Sequence, residues 1–121
     1  MKAIVYHNYG SPDVLKCEEI EKPTAGDDEV LIRVRAASVN PLDWHFMRGK
    51  PVFVRLMIGG LLKPKVTRLG VDLAGQVEAV GRNVTRFRPG DEVFGTKRGA
   101  FAEYVCANEN KLALKPANVT F

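Results

Sequence analysis

The chain has 121 residues, 45% hydrophobic and 26% charged, enough for one domain with its own core and too short for two ordinary ones. Its 18 Lys and Arg against 14 Asp and Glu leave a formal charge of +4, which suits an anionic small molecule as readily as nucleic acid and chooses neither. No apolar run reaches the roughly 18 residues of a membrane-spanning helix, and the opening MKAIVYHNYG holds no apolar stretch of a secretion signal.

Residues 2–7 (KAIVYH) are rich in β-forming side chains and predict a strand, closed by the turn cluster Asn8-Tyr9-Gly10-Ser11-Pro12. Residues 14–20 (VLKCEEI) predict a second strand, and 22–28 (KPTAGDD) a loop. The clearest strand covers 29–39 (EVLIRVRAASV), with Val30, Ile32, Val34 and Ala36 on one face and Arg33 and Arg35 on the other. The character then changes. Asn40 is a favoured N-cap, Pro41 suits the first helical position, Asp43 sits in the first turn, and Gly49 is placed to end a helix of two to three turns. Trp44 and Phe46 are its expected core anchors.

Residues 50–68 predict a long loop with one helical turn ending at Gly59-Gly60. From His45 through Val71 there is no acidic residue, while Arg48, Lys50, Arg55, Lys63, Lys65 and Arg68 all occur. This basic stretch either raises the local potential for an anionic cofactor or is a solvated loop. Aromatic residues are not interleaved with it, which disfavours single-stranded nucleic acid. Residues 70–95 hold five of the 11 glycines, and their short apolar runs read as strands folded back at punctuated corners. Strands are expected at 73–80, 91–96, 101–107 and 111–115, with a type II turn at Arg88-Pro89-Gly90-Asp91. In 101–107, Phe101, Glu103 and Val105 alternate against Ala102, Tyr104 and Cys106. Many short strands with a short helix predict a small, mainly β, barrel-like fold.

The spacing Gly70 to Gly75 mimics a phosphate-binding loop, but Gln76 stands where its lysine belongs and no hydroxyl follows. No GxGxxG dinucleotide fingerprint occurs. Cys17 and Cys106 form no CxxC pair, which favours a reducing cytoplasm and leaves a single disulfide open. Two cysteines and two histidines without paired spacing argue against a structural zinc site. Capping alone accounts for Asn40-Pro41 and Asp43, and His45 is a candidate proton donor or an ordinary packed residue.

These pieces together resemble the N-terminal half of the medium-chain dehydrogenase/reductases, the alcohol dehydrogenase and quinone oxidoreductase superfamily. The segments that carry the resemblance are MKAIVYHNYGSPDVL, VLIRVRAASVNPLDWHFMRG, GVDLAGQVEAVGRNVTRFRPGDEVFG and GAFAEYV, in order over nearly the whole chain. The resemblance implies a GroES-like, partly open β-barrel with one or more short helices over residues 1–121, on the substrate side of an enzyme whose second half is a Rossmann domain that binds NAD(P)H. Zinc-dependent members open the short helix with a metal-binding Cys, where this chain has Asn40, and carry a metal-binding His where it has Val71. Leu42 stands at their proton-relay hydroxyl, and their four-cysteine lobe has no counterpart. The chain is therefore similar to the zinc-free, quinone-oxidoreductase-like branch, with no metal expected.

That branch implies hydride transfer from NADPH or NADH to a quinone, enone or activated carbonyl. It marks Asn40 and His45 as catalytic candidates and Asn40 and Asp43 as cofactor contacts, with Asp43 also supporting the helix start. The expected partners are a small-molecule substrate and NAD(P)H, with neither nucleic acid nor membrane, and a homodimer is open for the full-length protein. The 121 residues alone are expected to be inactive, as a fragment of a longer chain; a naturally short protein is the other possibility. The alternatives are a stand-alone GroES-like binding or assembly module, or a zinc-type alcohol dehydrogenase with altered ligands.

Overall fold

Seven strands form two sheets in the computed structural model, which describes residues 1–57 and 60–121. β1 (Lys2–Tyr6) and β2 (Leu15–Glu19) make an antiparallel pair. The second sheet has the order β6-β3-β4-β5-β7, all antiparallel, from β3 (Glu29–Ala37), β4 (Asp72–Val80), β5 (Glu92–Thr96), β6 (Tyr104–Asn108) and β7 (Leu112–Leu114). Two helices, α1 (Pro41–Arg48) and α2 (Phe53–Met57), fill the connection from β3 to β4. The fold is mainly β, as the spacing predicts, but the sheets do not close: β6 and β7 are the outer strands and pair inward only, with β3 and β5.

Period-two patterning builds the main core. Val30 and Ile32 of β3, Leu73 and Val77 of β4, Val93 of β5, Val105 and Ala107 of β6 and Leu112 of β7 meet around Phe87 and Ala100. Val34 packs at its margin, while Arg33 and Arg35 stay exposed, so the alternation expected of this strand holds. The Arg88–Asp91 turn also forms as expected. The Asp91 N–H donates to the Arg88 carbonyl at 3.1 Å and Gly90 takes φ +96°, a conformation that favours glycine.

A second cluster fixes the helices. Tyr6 of β1, Phe46 and Met47 of α1, Val54 of α2 and Leu69 pack together. Asp43, Phe46 and Met47 are the buried residues of α1, the i, i+3, i+4 stripe of a helix lying on a core. Trp44 falls off that stripe and is 49% exposed, so only Phe46 is a core anchor. α2 is the single turn expected in the long connection; of the Gly59-Gly60 pair expected to end it, Gly59 lies outside the described residues.

The strand expected at 101–107 starts later, at Tyr104. Phe101 and Ala102 are taken by other partners: the Phe101 N–H donates to Leu69 O, its carbonyl accepts from the Ile4 N–H, and Ala102 bridges Ala3. Within β6 both faces are covered, because Cys106 lines a pocket with Pro23 and Thr24. Its alternation therefore gives three consecutive buried residues.

Candidate functional site

β3 and β4 run side by side, and their paired ends place Ala37 opposite Leu73 and Ser38 next to Asp72. Three residues beyond β3 the chain reaches Asn40, in extended conformation at φ −119° and ψ 158°. The site forms where these two strand ends meet the start of α1.

Asn40 occupies the N-cap position of a capping box, its side chain set against the Asp43 N–H at a contact weaker than a cap hydrogen bond. Its Nδ2 donates to Asp72 Oδ2 at 2.8 Å and to Ser38 Oγ at 3.2 Å, and the Ser38 hydroxyl donates to the same carboxylate oxygen at 3.3 Å. A carboxylate accepts only, so Asp72 fixes which end of the amide faces it. With Nδ2 turned to Asp72, the amide oxygen of Asn40 is the end left to face the Asp43 N–H. Beside it, Ala36, Ala37, Ser38, Asp72, Leu73 and Ala74 line an open recess of about 280 Å³.

Asp43 makes the stronger half of the box. Its Oδ2 accepts from the Asn40 backbone N–H at 2.8 Å, and its Oδ1 accepts from the Gly70 N–H at 3.0 Å. Asp43 is 3% exposed, and both oxygens are engaged by backbone donors. It ties the start of α1 to the turn that feeds β4. Gly70 has φ +92°, and a Cβ there would lie 2.6 Å from the Phe101 nitrogen, so no other residue fits this junction.

His45 is half-buried one turn along α1 and makes no hydrogen bond to Asn40. Its Nδ1 lies 2.9 Å from Lys50 O, and because a carbonyl only accepts, Nδ1 carries the proton. Nε2 is then an acceptor in the neutral ring and a donor only in the imidazolium. The Trp44 and His45 rings meet edge to face at 4.9 Å. Val71 is half-buried beside the site, its carbonyl accepting from the Lys97 N–H at 2.7 Å.

Of the sequence-derived candidates, Asn40 is therefore tied to two residues that line the recess, Asp43 is buried at the helix start, and His45 stands apart. Asp72 and Ser38, which hold the Asn40 amide, were not among those candidates. The SxN spacing into the helix start was the available signal for Ser38. A recess of about 550 Å³ between Arg33, Arg35, Glu103 and Tyr104 includes none of the candidates. No group of three His, Cys, Asp or Glu side chains with metal-binding geometry occurs among the described residues.

Residues 26–117 match the alcohol dehydrogenase GroES-like domain family. The chain belongs to this family. As a GroES-like domain it is 41% identical to the chloroplastic NADPH-dependent alkenal/one oxidoreductase of Arabidopsis thaliana, over 100% of this chain and 32% of that relative. The quinone oxidoreductase of Coxiella burnetii superposes with a TM-score of 0.88 at 31% identity, over 100% of this chain and 38% of that one. The quinone oxidoreductase of Escherichia coli, solved in complex with NADPH, gives 0.85 at 26% identity, over 100% and 35%. The domain spans about a third of the length of the curated relatives it matches.

Proposed function

We propose that this GroES-like domain is the substrate-side domain of a zinc-independent, NAD(P)H-dependent oxidoreductase that reduces a quinone, enone or other activated carbonyl. The observation that carries the reading is the Asn40 amide, held by Asp72 and Ser38, two residues that line the neighbouring recess together with three alanines. A held amide beside a small, largely apolar recess fits the carboxamide and ring of a nicotinamide. Asn40 would hold the cofactor there, and Asp43 would support it from below. When bound, NAD(P)H supplies the hydride.

The domain's own residues orient and shield rather than attack. Asp72 and Ser38 prevent the Asn40 amide from flipping. His45 donates to a substrate oxygen from Nε2 only while its ring is protonated. The zinc-free reading rests on donor chemistry: Val71 offers only carbon, and Asn40 offers an amide already donating to a carboxylate. The reading assigns the cofactor's main site to a separate dinucleotide-binding domain, so the 121-residue chain alone should not turn over. The free thiols of Cys17 and Cys106 support a reducing compartment such as the cytoplasm.

In the intact enzyme, Asn40→Ala should lower kcat/KM for NADPH-dependent quinone reduction at least about tenfold. Unchanged kinetics would remove Asn40 from the site. NADPH oxidation by the 121-residue chain alone, or stoichiometric zinc in protein purified without chelator, would overturn the corresponding part of the reading.

A further inference from the structure

Arg68, Lys97 and Arg98 line a second pocket, of about 160 Å³, together with Thr24, Glu29 and Cys106. It shares no lining residue with the Asn40 recess. None of the three cations forms a salt bridge among the described residues. Arg98 is held by neutral groups: Nη2 donates to Tyr6 Oη at 3.2 Å, Nε donates to Arg68 O at 3.4 Å, and the guanidinium lies 4.0 Å over the Phe46 ring. These contacts fix its position, and the one carboxylate whose charge reaches it is Asp43, which forms no salt bridge with it. Glu29 is the one carboxylate on the wall, with Oε1 also accepting from the Gly26 N–H at 3.0 Å.

Cys106 reports on the same charges. Burial pushes its thiol up from the ordinary value and Glu29 adds to the rise, while Lys97 and Arg68 oppose it. Both cations are therefore within electrostatic reach of the pocket floor. Three positive charges against one negative charge favour a dianion over a monoanion. A volume below the roughly 300 Å³ of drug-sized sites admits one tetrahedral oxyanion and leaves any group attached to it outside the pocket. The Arg68 guanidinium, the Lys97 ammonium and the Thr24 hydroxyl supply the donors such an anion requires, with Arg98 adding charge.

We propose that this pocket binds a single phosphoryl dianion, either free phosphate or the terminal phosphate of a small metabolite. The test is an amide-resolved NMR titration of the 121-residue chain at low ionic strength. Inorganic phosphate is the probe in one arm and adenosine monophosphate in the other, each against chloride of equal ionic strength. Saturable shifts confined to the segments around Arg68, Lys97, Arg98 and Cys106 are expected. Tighter binding of the nucleotide would identify a phosphate monoester as the source, and tighter binding of phosphate the free ion. The double variant Arg68→Gln, Lys97→Gln should weaken binding about tenfold or more, because it removes two of the three cations. Glu29→Gln keeps the acceptor for Gly26 and removes the opposing charge, so it should tighten binding about threefold. Shifts no larger than with chloride, or indifferent to both sets of substitutions, would overturn the proposal.

Discussion

Asn40 and Asp43 sit three residues apart at one helix start and do opposite jobs, because their hydrogen bonds run in different directions. Asp43 is spent inside the structure on two backbone donors, whereas the Asn40 amide reaches Asp72 across 32 residues of sequence. Asp43→Ala strands the buried Gly70 N–H and frees the Asn40 N–H, and should cost about 2–4 kcal/mol in urea unfolding of the domain. Asn40→Ala removes only the weaker, Asn40 half of the capping box and should cost about 1 kcal/mol or less. Equal losses would show that the Asn40 side chain, rather than Asp43, closes the helix start. The N-P-x-D pattern made the helix start legible in the sequence. Which of its two polar side chains does more of the capping was not legible, since that depends on a carboxylate from β4.

At the scale of elements, α1 is anchored by one stripe and exposed on its flank. Phe46 is 7% exposed and lies between Tyr6, Val54 and Leu69, with the Arg98 guanidinium against its ring. Phe46→Ala should destabilise the domain by about 3–5 kcal/mol, the range for deleting a buried ring. Trp44→Ala, at a half-exposed position, should change stability by less than about 1 kcal/mol. The single tryptophan then gives a direct check, since iodide should quench its fluorescence in the folded protein. Strong protection from iodide would place Trp44 in the core after all. The helix, its ends and its length could be read from cap residues and glycine. The buried side could not be read from two aromatics alone, because the helical period places Phe46 with Asp43 and Met47 and turns Trp44 away. The same limit explains β6: its local alternation is real, but a neighbouring loop covers its outer face and β1 takes its first residues.

At the scale of the whole molecule, the mainly β class followed from period-two segments and close turns, and four sequence segments in order along the chain carried the family resemblance. Openness of the sheet was beyond local pattern, since it turns on whether the two outer strands pair with each other. The alkaline limit of the fold is likewise a property of the assembled cores. Burial pushes the Tyr6 phenol above its ordinary 10.0, against the pull of Arg98, and pushes the Cys106 thiol above its ordinary 9.0. Tyr9 is also raised above 10.0, again mainly by burial. Each group is neutral when protonated and holds its proton more tightly folded than unfolded. Their contribution is therefore fully present below the ordinary values and is lost as pH rises through the raised folded values. Urea midpoints should be nearly flat in this respect from pH 7 to about 9 and then fall steadily as the phenols and thiol ionise in the unfolded chain. Tyr6→Phe removes the most deeply buried of these groups while leaving its ring in the second cluster. Its absolute stability should drop, because Arg98 loses an oxygen partner, but its decline above pH 10 should be shallower than that of the parent protein. A variant curve parallel to the parent's at alkaline pH would mean that Tyr6 stays protonated in neither state preferentially, and would assign the alkaline loss to other groups.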